Sequence, residues 1–215
     1  MANPATAIER VPHTADVDHH HAHHVIQFTP AQRLRMNRLG LWLFIISEAF
    51  LFSGIFVARI VLLREDGDFI RPELDQFLGL IITSILLLSS FAVNFGEVAI
   101  SRGDTKNFLL GYSAAIIMGF IFTGGVIYEW SIAHFTAYEH ISGGMFFFMT
   151  GMHALHVLTG IIFLIVVLHN GRLGNYTKES HWGVEACALY WHFVDVVWVF
   201  FYVGLYLIGD VYHQV

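Results

Sequence analysis

Apolar residues in this chain gather into five long runs, at residues 39–63, 77–100, 108–128, 144–168 and 184–208. Each is near or above the roughly 20 residues a helix needs to cross a hydrocarbon core. Backbone groups in lipid must be bonded within their own segment, so the pattern predicts transmembrane helices. Strands of a membrane barrel would be about half as long and would alternate in polarity. The runs are separated by the polar links EDGDFIRPELD, SRGDTKN, EWSIAHFTAYEHISGG and HNGRLGNYTKESH, and links this short favour antiparallel neighbours. The predicted fold class is therefore all-α: an integral membrane bundle of five transmembrane helices, in a domain covering residues 36–215. Residues 1–35 are polar, contain Pro4, Pro12 and Pro30, and show no sustained apolar period. They read as a disordered, His-rich tail, with a short interfacial helix at 30–38.

Charge gives the predicted helices a direction. Arg10, Arg33, Arg35, Arg38, Arg102, Lys106, Arg172 and Lys178 all fall on one side of the predicted membrane, whereas Arg64 and Arg71 lie in a loop on the other. Arg59 sits near the end of the first run. The positive-inside rule places the N-terminus in the cytoplasm and the C-terminus outside. Tyr128, Trp130 and Tyr138 become outer interfacial anchors and Trp182 an inner one. Composition agrees: 56% of residues are hydrophobic and only 13% charged, about half the share of a soluble domain. The net charge of −6 leaves no basic footprint for nucleic acid. Cys187 is the one cysteine, so no intrachain disulfide can form. No apolar signal-peptide core precedes the first run, which is expected to act as its own insertion signal. Small residues such as Ser89, Ser90, Gly124, Gly125, Gly151 and Gly160 let helices approach closely.

Ionisable residues within the runs need an explanation, since each costs at least about 2.5–3.5 kcal/mol at a helix centre. Glu48 lies nine residues into the first run, roughly 13 Å from its start. Only Ser47 and Ser53 offer it local polar company, and a carboxyl in hydrocarbon favours its neutral form. Asn94 and Glu97 form an i,i+3 pair in the second run, and His153 and His156 another in the fourth. In the fifth, Glu185, His192 and Asp195 share a helical face. Three readings are open. A metal site would need a fuller set than His-x-x-His and His-x-x-Asp; di-iron bundles carry Glu-x-x-His on two helices. A proton path would need more than one isolated carboxyl. The residues favour a structural network that bonds facing helices, lipid head groups or a partner subunit. In it His192 and Asp195 bind each other and a facing helix, with His153 or His156 as partners. A metal-dependent membrane enzyme built on the same cluster is the alternative of another class. The tract His19, His20, His21, His23 and His24 is a weak metal candidate and otherwise a solvated tail. The sequence carries no nucleotide-binding G-x-x-x-x-G-K, no haem-attaching C-x-x-C-H and no nucleophile elbow.

Five stretches carry a family resemblance. They are WLFIISEAFLFSG (42–54), ITSILLLSSFAVNFGEVAISRGDTKNFL (82–109), YEWSIAHFTAYEHISGG (128–144), FFFMTGMHALHVLTG (146–160) and HWGVEACALYWHFVDVVWVFFY (181–202). Together they resemble subunit III of the cytochrome c oxidases, over residues 35–209; YWHFVDVVW is the most specific. The resemblance implies a subunit without a redox centre, in a proton-pumping terminal oxidase of a bacterial cytoplasmic membrane. Haem and copper would sit in subunits I and II. This chain would pack on subunit I, hold structural phospholipid in a cleft and support proton uptake. Further small subunits or a respiratory supercomplex are possible partners. Glu48 falls on the family's buried glutamate, discussed in connection with proton supply. His153, His156, Glu185, His192 and Asp195 fall on its intramembrane polar positions. Seven-helix members begin with two further helices, and this chain starts where their third would. Either another chain supplies those two, or the cleft is open. The short form is also typical of quinol oxidase subunit III and of a nitric-oxide-reductase-associated relative.

Overall fold

The computed structural model describes residues 29–65, 76–138 and 141–207, and among them every regular element is a helix. The helices are α1 (Pro30–Glu65), α2 (Gln76–Ser101), α3 (Thr105–Ile132), α4 (Ile141–Arg172) and α5 (Trp182–Tyr202), with α5 continuing into a π-helical turn, Val203–Leu207. All five are long and apolar enough to span a membrane. The His tract, Arg10, Arg64 and Arg71 lie outside the residues whose side chains are described.

The first helix begins nine residues before its apolar run. Its start is a capping box: the Thr29 backbone N–H donates to Gln32 Oε1 at 2.9 Å, and the Gln32 N–H donates to Thr29 Oγ1 at 3.3 Å. Pro30 occupies the first helical position, where its fixed φ and missing N–H cost nothing. Residues 30–38 are therefore the first turns of α1 rather than a separate interfacial helix, and the tail boundary at 35 falls inside the helix. At 36 residues α1 is roughly 54 Å long, so its polar first turns extend past the hydrocarbon. Between α2 and α3, Gly103 takes φ +84, and Asp104 caps α3 by accepting from the Asn107 N–H at 3.1 Å.

Helices α2 to α5 form a ring in which α2 packs on α3, α3 on α4, α4 on α5, and α5 back on α2. The α2–α3 approach is backbone to backbone. A Cβ on Gly111 would lie 2.6 Å from the Ala92 carbonyl oxygen and 2.9 Å from the Gly96 nitrogen. Trp191, Trp198, Tyr112, Phe122 and Phe201 fill the centre of the ring. Trp191 reaches into a slot between Gly119 of α3 and Gly160 of α4, where a Cβ would come within 2.9 and 2.8 Å of its ring. Helix α1 stands outside this ring, against α4 and α5. Only 11% of its spanning window is buried, against 50% for α5.

Candidate functional site

The greasy signature of α5 is stitched to α2 through polar atoms. Trp191 Nε1–H donates to Ser89 Oγ at 2.9 Å, and Trp198 Nε1–H donates to Thr83 Oγ1 at 3.0 Å. Between these two rungs lies the His192–Asp195 pair. The two side chains do not bond each other directly, as their i,i+3 spacing suggests. Ser90 of α2 stands between them: its hydroxyl donates to Asp195 Oδ2 and lies 3.0 Å from His192 Nδ1. The facing helix is therefore α2, and neither His153 nor His156 is the partner. The face shared by residues three apart points at a hydroxyl that spans the gap. Asp195 is 4% exposed, and its second oxygen, Oδ1, has no hydrogen-bond partner.

His153 and His156 point to different helices. His153 is fully buried, with Nε2 3.1 Å from the Val194 carbonyl on α5. A carbonyl only accepts, so Nε2 carries the hydrogen. His153 Nδ1 is unpaired, and the ring is packed among Trp198, Phe122 and Phe201. His156 instead reaches α1: its Nε2 lies 3.0 Å from Glu48 Oε2, with the two side chains only 14% and 18% exposed. Glu48 is thus not isolated, as its own helix suggests, but paired across the interface. The Phe52 ring meets the His156 ring edge-on at 4.7 Å, and the Tyr190 hydroxyl donates to the His156 carbonyl.

At the end of the bundle that holds the start of α1, Arg38 Nη2 lies 3.4 Å from Glu185 Oε2, and His181 Nε2 lies 3.4 Å from Glu185 Oε1. The Arg38 guanidinium also sits over the Trp182 ring at 5.5 Å. Arg38, Trp182 and Glu185 line a cavity of about 350 Å³ that Glu97 and His192 also line. Glu97 therefore belongs to this cluster, whereas its expected companion Asn94 is exposed on the bundle surface. Of the interfacial anchors, Tyr128 and Tyr138 are exposed, but Trp130 turns inward to donate to Thr150 Oγ1 at 3.1 Å. Among the described residues, no three His, Cys, Asp or Glu side chains converge as metal ligands.

Two polar groups at the other end escaped the sequence reading. Glu129 is 3% exposed and accepts from the Tyr206 hydroxyl at 2.6 Å. Arg59, also 3% exposed, donates through Nε to the Gly204 carbonyl of the π-helical turn at 3.2 Å. Glu129 sits between two interfacial aromatics, where hydropathy hides it. Arg59 reads as a helix-end charge until the neighbour that covers it is known.

Five helices of membrane-spanning length, packed around an aromatic centre and tied by polar rungs, define the class: a multi-pass integral membrane protein. Comparison with known proteins gives the family. The sequence model of the family "Cytochrome c oxidase subunit III" matches residues 20–210. The chain is 35% identical over 195 residues to cytochrome c oxidase subunit 3 of Thermostichus vulcanus, covering 89% of this chain and 92% of that protein. It is 39% identical over 182 residues to the Equus caballus subunit 3, covering 80% and 70%. The Synechocystis subunit 3 is 34% identical over 180 residues, covering 80% and 76%. The chain belongs to the cytochrome c oxidase subunit III family, and is a multi-pass subunit III of a terminal oxidase in respiratory electron transport.

Proposed function

We propose that this chain is a non-redox scaffold subunit of a bacterial cytoplasmic-membrane cytochrome c oxidase. It packs on subunit I, with haem and copper held in subunits I and II, keeps phospholipid at its surface and supports proton uptake. Its N-terminus is cytoplasmic, which the distribution of basic residues supports. One observation carries the scaffold reading: the family's buried glutamate, Glu48, is spent on holding α1 to α4 through His156. A carboxyl satisfied in this way stabilises an interface and is not free to act on a substrate. Lipid binding is supported by two grooves flanking that contact. One, of about 340 Å³, is lined by Leu41, Phe44, Phe163 and Tyr190 among others. The other, of about 430 Å³, is lined by Phe52, Phe56, Phe193 and Phe200 among others. Both have the size and apolar lining to take acyl chains.

The test is purification through a tag on this chain. Visible spectra, partner mass spectrometry, lipid analysis and oxygen uptake with reduced cytochrome c or with quinol are then read on one preparation. A haem-containing complex that oxidises cytochrome c and retains phospholipid is expected. Isolation of the chain alone, with stoichiometric iron or zinc of its own, overturns the reading.

A further inference from the structure

The Ser90 hydroxyl has one hydrogen to give and gives it to Asp195 Oδ2. Its contact with His192 Nδ1, at 3.0 Å, must then be one in which the imidazole N–H donates. The three groups make a continuous, polarised chain: imidazole to hydroxyl to carboxylate. The outer member of that chain is not sealed. His192 lines the cavity of about 350 Å³ at the inner end of the bundle. The inner member is sealed: Asp195 is 4% exposed and its Oδ1 has no partner. A carboxylate in that position is a buried negative charge with one oxygen unbonded, and charge held in such a place is costly.

We propose that Asp195 is a proton-binding site in exchange with the inner-end cavity through His192 and Ser90. The step balances without any other reactant. A proton from cavity water binds His192 Nε2. The Nδ1–H bond breaks as that proton passes to Ser90 Oγ, and the Ser90 hydroxyl proton passes to Asp195 Oδ2. The chain then runs the other way: the acid donates to the hydroxyl, and the hydroxyl donates to the bare Nδ1. Release to the cavity reverses each transfer. That reversal also restores the starting tautomer of the imidazole.

The cavity is suited to feeding such a site. Glu97 from α2 and Glu185 from α5 present carboxylates, Arg38 comes from α1, and His181 bonds Glu185. At the sealed end α2 offers the Ser89 and Ser90 hydroxyls, and α4 offers the His153 ring, bonded to the Val194 carbonyl next to Asp195. Asp195 is then a terminal site rather than a through-path. It stores one proton beside the surface from which the complex would take protons, and its placement there rests on the orientation given above.

Infrared spectra of the assembled complex test the proposal directly. Wild type minus Asp195→Asn isolates the C=O stretch of the Asp195 acid, and its isotope shift on transfer to D2O times the exchange. Ser90→Ala and His192→Gln should each slow the exchange by about 100-fold, the size of contribution expected of a positioned proton-transfer group. Ser90→Thr, which keeps the hydroxyl, should restore the wild-type rate. His192→Gln keeps a donor to Ser90 but relays no proton, so it tests the relay even if Ser90→Ala does not assemble. Unchanged exchange in His192→Gln overturns the proposal, as does the absence of an Asp195 acid band at every pH where the complex is intact. Oxygen uptake on the same samples separates the two readings. Relay-dependent exchange with turnover unaffected by Asp195→Asn supports the site and removes its part in proton uptake.

Discussion

Replacing Glu48 separates a shared proton from a charge. His156 Nδ1 lies 2.7 Å from the Met152 carbonyl and must donate to it. Nε2 and Glu48 Oε2, 3.0 Å apart, then hold a single proton between them, whether written as acid and imidazole or as carboxylate and imidazolium. In Glu48→Gln the amide N–H can donate to Nε2 and the bond survives. In Glu48→Ala, Nε2 loses its partner in a side chain only 14% exposed. An abandoned buried group costs about 1–3 kcal/mol in water-soluble proteins, and interhelical bonds in membranes average about 0.6 kcal/mol. We therefore expect about 1–2 kcal/mol for the alanine variant, roughly a tenfold shift in the docking of α1. The glutamine variant should stay near wild type, with assembly intact and oxidase turnover modestly lowered. Unfolding of the purified chain in mixed micelles on titration with denaturing detergent reads this, followed by energy transfer from a donor dye on α1 to an acceptor dye on α5. An alanine variant as stable as wild type refutes the anchoring argument. A glutamine variant as damaged as alanine shows that ionic attraction holds the helix.

Three further outcomes follow from the packing. Gly111→Ala forces a Cβ against α2 backbone at 2.6 Å and should cost about 1–3 kcal/mol; Gly124→Ala, with nothing within 4 Å, is the neutral control in the same thermal melt. Thr83→Val removes the acceptor of the buried Trp198 N–H and should lower stability by about 1 kcal/mol, while Thr83→Ser should not. Arg38→Ala breaks a contact of 3.4 Å whose arginine is 54% exposed; it should cost at most about 1 kcal/mol, and less at high salt.

The membrane fold was legible because hydrophobic runs of this length have only one economical backbone solution. The helix ends were less so. Thr29-Pro30-Ala31-Gln32 is a capping box in plain view, but the polar residues between it and Leu39 lower the local hydropathy and draw attention to the later boundary. Within the site, periodicity put His192 and Asp195 on one face and could go no further. A face has no partner until the bundle closes, and the partner proved to be Ser90, which reads in sequence as a packing residue. Glu48 shows the same limit: its neighbours in sequence give it no company, and its true partner is 108 positions away.

Helix α1 shows why so apolar a chain retains these charges. Hydrocarbon tails solvate Leu and Phe about as well as another helix does, so apolar contact alone fixes neither the depth nor the rotation of a lightly buried helix. Helix α1 has only 11% of its spanning window buried. It carries Arg38 against Glu185, Glu48 against His156, and Arg59 against the Gly204 carbonyl. These contacts are spread over 21 positions, a rise of roughly 32 Å. A slip of one turn, roughly 5.4 Å, breaks all three at once, whereas it would merely exchange one set of phenylalanine contacts for another. The polar anchors therefore contribute register more than raw stability. The unburied flank of α1, with Trp42, Phe50 and Ile60 exposed, is held at a defined height for whatever lies beside it in the membrane.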